Sequence, residues 1–201
     1  MRRFGFPLCV VFVFGMSLCE AARAQGASGV HVGITGGADF PVQDQKDAFK
    51  VGWNAGALVA INFGTSPVGL RIDGAYHRMD TESALAAFTG SGNVRILSGS
   101  ANLVLGPKGG PAEPYVLGGA GAYDMRFHGE DLTHNTFSDS TTRFGWNAGA
   151  GIAFPLGTSN SRIFVEGRYI SVSTNGNRFS DSVTTKGSRF TFVPVNLGLI
   201  F

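Results

Sequence analysis

The chain has 201 residues, 43% of them hydrophobic, 15% charged and 30 of them glycine, with a formal charge of +2. A balance this close to neutral argues against a nucleic-acid partner. Abundant glycine without helical periodicity excludes a helix bundle and points to an all-β protein of a single domain.

The chain opens Met1-Arg2-Arg3, continues with an apolar run from Phe4 to Leu18, and reaches Ala22-Arg23-Ala24. A basic start, a hydrophobic stretch and a small-x-small site predict a removed secretory leader over residues 1–24, leaving a single domain over 25–201. The run is shorter than the roughly 20 residues a membrane helix needs. Both cysteines, Cys9 and Cys19, fall in the leader, so the remainder needs no disulfide although its compartment would permit one. Without the leader, 13 basic and 13 acidic side chains remain.

A first strand is predicted near Gly29–Phe40, with Val30, Val32, Ile34, Ala38 and Phe40 on one face and His31, Thr35 and Asp39 on the other. A polar loop, 41–50, leads to the second strand. There Trp53, Ala55, Ala57, Val59, Ile61 and Phe63 share one parity, while Asn54 and two glycines take the other, with Leu58 the exception. Gly64-Thr65-Ser66-Pro67 makes a tight turn into a third strand, which sets Leu70, Ile72 and Tyr76 against Arg71, Asp73 and His77. After a long loop, 78–93, a fourth strand carries Leu97, Ala101, Leu103 and Leu105 opposite Ser98, Ser100 and Asn102.

The plan then repeats. Gly145-Trp146-Asn147-Ala148-Gly149-Ala150 restates Gly52-Trp53-Asn54-Ala55-Gly56-Ala57 after 93 positions. At the same offset Gly157-Thr158-Ser159 matches Gly64-Thr65-Ser66, Tyr169 matches Tyr76, and Glu166 answers Asp73. Roughly half of this stretch is identical without a gap, the mark of a duplicated unit of about ninety residues. In the second half Tyr115, Leu117 and Tyr123 are read on the apolar face of the fifth strand. A long polar loop is expected from about 126 to 142. The Trp146 strand, a short turn and the Ile163–Tyr169 strand follow. After a long loop, 173–188, the last strand ends in Val193, Val195, Leu197, Leu199 and Phe201.

Eight strands of about ten residues match the length that crosses a tilted bilayer path. Connections that alternate long and short fit an antiparallel up-and-down transmembrane barrel, with short turns and both termini on the periplasmic side. Closure leaves no unpaired backbone in lipid. Trp53, Tyr76, Tyr115, Tyr123, Trp146 and Tyr169 are expected to form the interfacial aromatic girdles. Leu103, Leu117 and Val165 are expected in the lipid-facing band between them.

With these features, and on Phe164-Val165-Glu166-Gly167-Arg168-Tyr169 and the ending Val193–Phe201, the sequence resembles the small outer-membrane β-barrel proteins, the OmpA-type membrane domain and its eight-stranded relatives. The resemblance implies a bacterial outer-membrane location. It also implies that Val195, Leu197, Leu199 and Phe201 form the signal read by the barrel-assembly machinery. Further partners expected are outer-membrane lipids, lipopolysaccharide, and an extracellular ligand or host surface met by the long loops. The periplasmic wall-binding domain often found after such barrels has no counterpart in the sequence, so a wall-tethering role does not carry over.

An eight-stranded barrel is about wide enough for its own side chains. Arg71, Asp73, Asp124, Arg126, Glu166 and Arg168 are read as inward charges that pair and plug it, because an unpaired buried charge is costly. The alternative is a small porin-like path for ions or solutes. His128, Glu130, Asp131 and His134 could in composition hold a divalent ion, but nothing fixes their geometry. They are read as a solvated loop, and no metal or cofactor is expected. His31 and His77 lie in no recognised nucleophile motif, so no catalytic residue is assigned and a lipid-modifying enzyme is the least favoured reading. The expected function is structural or surface-interacting.

Overall fold

The computed structural model describes residues 29–63, 66–81, 92–130, 136–157, 161–174 and 188–201. The expected leader lies outside them. Eight strands form one closed antiparallel barrel, each hydrogen-bonded to its neighbours in chain order, with the last closing on the first. They are β1 (Val30–Pro41), β2 (Gly52–Asn62), β3 (Val68–Asp80), β4 (Gly92–Leu105), β5 (Glu113–Glu130), β6 (Thr136–Pro155), β7 (Arg162–Thr174) and β8 (Ser188–Ile200). A short 3-10 helix, Gln43–Asp47, lies in the first connection.

Alternation dictates the two faces. Outward positions carry Ile34, Trp53, Ile72, Leu103, Phe144, Val165 and Leu197, all exposed. Such a continuous apolar wall is costly in water and is the band a lipid-embedded barrel presents. Inward positions are small, polar or tightly packed. Leu58, which broke the pattern in the sequence, points inward and is buried.

Large inward side chains fit because glycines stand beside them. Tyr115 of β5 lies against Gly151 of β6, its register partner. Phe164 of β7 lies against Gly198 of β8 in the same way. A β-carbon added at either glycine would overlap the ring.

Two expectations about β5 are corrected here. Its odd-numbered residues face inward, so Tyr115, Tyr123 and Leu117 line the lumen, with Tyr123 and Leu117 buried. Its even-numbered residues face outward. The cause is the room offered by β6: Gly145 and Gly151 accept the two tyrosine rings on the inner side.

The third long loop is also corrected. β5 runs to Glu130 and β6 starts at Thr136, paired throughout, so most of the expected loop is a strand hairpin. Among the described side chains, its outward positions past the apolar wall are polar: Arg126, His128, Ser140 and Thr142. On the inner side Met125 and Phe127 of β5 stand beside Thr141 and Arg143 of β6, so the ladder here is held by backbone pairing with, among the described side chains, only β5 supplying apolar inward residues.

Candidate functional site: a layered, charge-locked lumen

Five layers fill the barrel from the short-turn end to the long-loop end. At the short-turn end, Arg162 Nε donates to Glu113 Oε2 at 2.9 Å, and the Gly109 backbone N–H donates to Glu113 Oε1 at 2.7 Å. Lys108, in the β4–β5 turn, is held below the ordinary lysine range by partial burial and by the nearby Arg162 charge, partly offset by Glu113. Above this lies an apolar layer of Leu58, Ala153 and Phe164, packed by Ala60, Tyr115 and Ile200.

The third layer is a ring of four charges. Arg71 on β3 binds Asp73 two residues along its own strand, Nε to Oδ1 at 3.0 Å. It also grips Glu166 on β7 with two nitrogens, each 2.8 Å from a carboxylate oxygen. Arg168 on β7 closes the ring: Nε lies 2.6 Å from Glu166 and Nη2 lies 2.9 Å from Asp73. Planar guanidinium forks suit such bidentate contacts. Further donors serve the acids, Tyr115 Oη giving to Glu166 at 2.8 Å and Asn102 Nδ2 to Asp73 at 2.7 Å. The Arg71 guanidinium also lies 5.7 Å from the Phe164 ring centre. All four charged residues are at least nine-tenths buried, and buried charges persist only when paired and hydrogen-bonded to this degree.

The fourth layer escaped the sequence reading. Asp39 on β1, fully buried, accepts from Asn54 Nδ2 at 2.9 Å and from His77 Nδ1 at 3.0 Å. His77 Nε2 lies 3.3 Å from Ser98 Oγ, which donates to the Ala75 carbonyl at 3.2 Å. Carboxylate, imidazole and hydroxyl stand in the order of a nucleophile relay. Acyl transfer also needs free N–H donors at the oxyanion. Ser98 is paired on both sides, with Ala75 and with Tyr123, so its backbone is spent in the sheet. The arrangement therefore satisfies a buried carboxylate. The only sequence signal for it was that Asp39, Asn54, His77 and Ser98 are all polar at inward parity.

The fifth layer is largely apolar, with Arg143 of β6 entering it beside its register partner Tyr123. Met79, Val94, Ile96, Tyr123, Met125, Ile170, Val172, Phe190 and Phe192 are all buried, with Phe49 and Phe127 against them.

Four of the expected lumen charges, Arg71, Asp73, Glu166 and Arg168, thus lie together. Asp124 and Arg126 do not, which is a correction that follows from the facing of β5. They stand on the outer surface and pair with each other at 3.1 Å, Arg126 being well exposed. Of the expected girdle, Trp53, Tyr76, Trp146 and Tyr169 face outward and stack as two pairs, Trp53–Tyr76 at 5.6 Å and Trp146–Tyr169 at 5.5 Å. Tyr115 and Tyr123 belong to the lumen instead.

Val195, Leu197 and Phe201 are exposed on the outer face, and Leu199 shares their parity on β8. The Phe201 backbone N–H donates to Val32 across the β1–β8 seam at 2.8 Å. Asp131 and His134 lie outside the described residues. Among those described, no cluster of metal-ligating side chains occurs.

Residues 8–201 match the profile of a family described as the outer membrane protein beta-barrel domain. Among solved structures, the chain is similar to Neisserial surface protein A at 17% identity and a TM-score of 0.56, over 88% of this chain and 98% of the other. It is similar to a major outer membrane protein from Thermus thermophilus at 13% identity and a TM-score of 0.55, over 86% and 98%. The outer membrane protein OprG from Pseudomonas aeruginosa matches at 15% identity and a TM-score of 0.52, over 88% and 98%. No curated protein sequence matches.

Proposed function

The chain belongs to the outer membrane protein beta-barrel domain family and resides in the bacterial outer membrane, and on that premise we propose that it is a non-conducting barrel that works through its outer surface and long loops. The observation that carries this reading is the stacking of the lumen. A ring of four buried charges sits between two apolar clusters, with Phe164 beneath it and Phe192, Met79 and Val172 above it. An ion following the axis would have to displace the packed apolar side chains on the long-loop side of the ring and break its paired charges.

In the same reading the long connections face outside and meet an extracellular ligand or host surface. The leader over 1–24 brings the chain to the envelope, and the β8 ending is handed to the barrel-assembly machinery. Single-channel recording of the refolded protein in planar bilayers tests the proposal. The expected trace stays at the bare-bilayer baseline. A steady, large conductance would favour the porin-like alternative and overturn the plugged reading.

A further inference from the structure

On the outer wall, three arginines stand side by side on three neighbouring strands. Arg78 of β3 is the register partner of Arg95 of β4, and Arg95 is the register partner of Arg126 of β5. The row continues to Trp53 on one side and Ser140 on the other. Like charges directly opposite each other across a ladder destabilise it, so such a row calls for a counter-anion.

The chain supplies that anion only in part. Arg78 meets Asp80 at 3.4 Å and Arg126 meets Asp124 at 3.1 Å, while Arg95, among the described residues, has only the Asn93 amide oxygen at 3.1 Å. Each contact uses a minority of the five donors a guanidinium carries. Beside the row is an open hollow of about 470 Å³, with Tyr76, Leu97 and Asp124 on its short-turn side and Arg95, Arg126, His128 and Ser140 on its long-loop side, the Asp124 carboxylate being turned to Arg126. Past Tyr76 and Leu97 the wall turns apolar, with Ile72, Ala101, Leu103 and Trp146 outward.

A cationic shelf directly above an apolar wall, at the level of Trp53 and Tyr76, has the polarity of a lipid whose head is anionic. The duplicated half shows that the shelf is not a general property of the rim. At the 93-residue offset Arg78 corresponds to Ser171, which is buried and paired with Thr191. There the first connection lies over the wall: Thr191 Oγ1 donates to the Val42 carbonyl at 3.3 Å, and Gln43 Nε2 donates to Tyr169 Oη at 2.9 Å.

We propose that Arg78, Arg95 and Arg126 bind the phosphorylated sugar headgroup of lipopolysaccharide in the outer leaflet, with the acyl chains lying on the wall below. Guanidinium forks recognise phosphate oxygens in pairs, and the site is half-shielded by neighbouring side chains. The assignment of leaflet rests on the orientation in the proposed function. The binding itself is measured in micelles, where orientation plays no part, so the two readings fail separately.

The full barrel is refolded in zwitterionic micelles and titrated with bis-phosphorylated lipid A. Trp53 fluorescence is read in a Trp146→Phe background. The triple variant Arg78→Gln/Arg95→Gln/Arg126→Gln should weaken binding about tenfold or more. A charge-matched variant away from the shelf, Lys46→Gln/Lys108→Gln/Arg189→Gln, should stay within about twofold of the parent. Lipid A stripped of phosphate should bind the parent no better than bis-phosphorylated lipid A binds the triple variant. Millimolar inorganic phosphate should not compete.

Equal binding by parent and triple variant, or by the two lipids, would overturn the site. Competition by inorganic phosphate as strong as by lipid A would make it a free-anion site and overturn the lipid. Heat-modifiable gel mobility checks barrel closure in each variant. Should the triple variant not close, Arg95→Gln alone, which leaves both carboxylate pairs intact, should weaken binding about threefold, and no change would overturn the proposal.

Discussion

The two halves of the duplicated chain keep the same aromatic pair and the same inward acid but have diverged around them. Trp53–Tyr76 and Trp146–Tyr169 stack at nearly equal distances. Asp73 and Glu166 occupy equivalent inward positions. The arginines do not correspond: the counterpart of Arg71 is Phe164, and the counterpart of Arg168 is Ala75. Each half therefore holds one acid and one base, placed on opposite sides of the repeated acid, and each arginine reaches across the lumen to the other half's carboxylate. Duplication supplied the frame. Substitutions that differ between the copies turned two equivalent acids into one closed network.

The inward asparagines diverge in the same way. Asn54 binds Asp39, whereas its counterpart Asn147 is equally buried and, among the described residues, neither of its side-chain polar atoms has a hydrogen-bond partner of good geometry.

Removing Glu166 strains what the halves share most. Glu166→Ala leaves Arg71 and Arg168 sharing the single carboxylate of Asp73 in a buried site, and should cost about 3–5 kcal/mol in urea titrations of the barrel in lipid vesicles. A loss under about 1 kcal/mol would mean that water already screens the ring.

A smaller effect separates lipid-facing wall from rim. Leu103 and Val51 are both 58% exposed, so accessibility alone assigns them one cost. Leu103→Arg should cost about 2–4 kcal/mol near mid-membrane, while Val51→Arg, in the first connection, should stay within about 0.5 kcal/mol. Equal costs would contradict the membrane band.

The smallest contrast lies between the asparagines. Asn54→Ala, which removes a donor to a buried carboxylate, should cost about 1.5–3 kcal/mol. Asn147→Ala should cost about 1 kcal/mol or less, because no well-formed hydrogen bond is lost. The reverse order, measured by the same titrations, would show that the second-half asparagine carries the network.

Strand number, strand order and the duplicated unit were legible because period-two alternation and the 93-residue offset are local properties of the chain. The facing of β5 was not legible. Tyr115, Leu117 and Tyr123 on one parity compete with Val116, Ala120 and Ala122 on the other, and either set can face lipid. The choice is made by glycines on β6, residues distant in sequence that open space on the lumen side. Misreading that strand carried Asp124 and Arg126 inward with it.

The four-charge ring was half legible: each acid lay beside an arginine two residues away, but the cross-lumen partners lie 95 positions apart. The Asp39–His77–Ser98 chain joins residues of three strands and has no spacing by which to find it. The hairpin beyond the apolar wall was hidden by its composition, since polar outward positions in water look like loop.

The ring has an electrical consequence. β3 and β7 run in the same direction, from the short-turn end to the long-loop end. On β3 the cation, Arg71, precedes the anion, Asp73; on β7 the anion, Glu166, precedes the cation, Arg168. The two dipoles are therefore opposed, and the four charges form a quadrupole with no net charge and little moment along the barrel axis. A membrane voltage exerts almost no net force on such an arrangement, so the lock does not work as a voltage sensor. Water admitted at this level with all four charges in place would meet a ring of no net charge, whereas a leak opened by removing Glu166 would pass two arginines and one aspartate and favour anions.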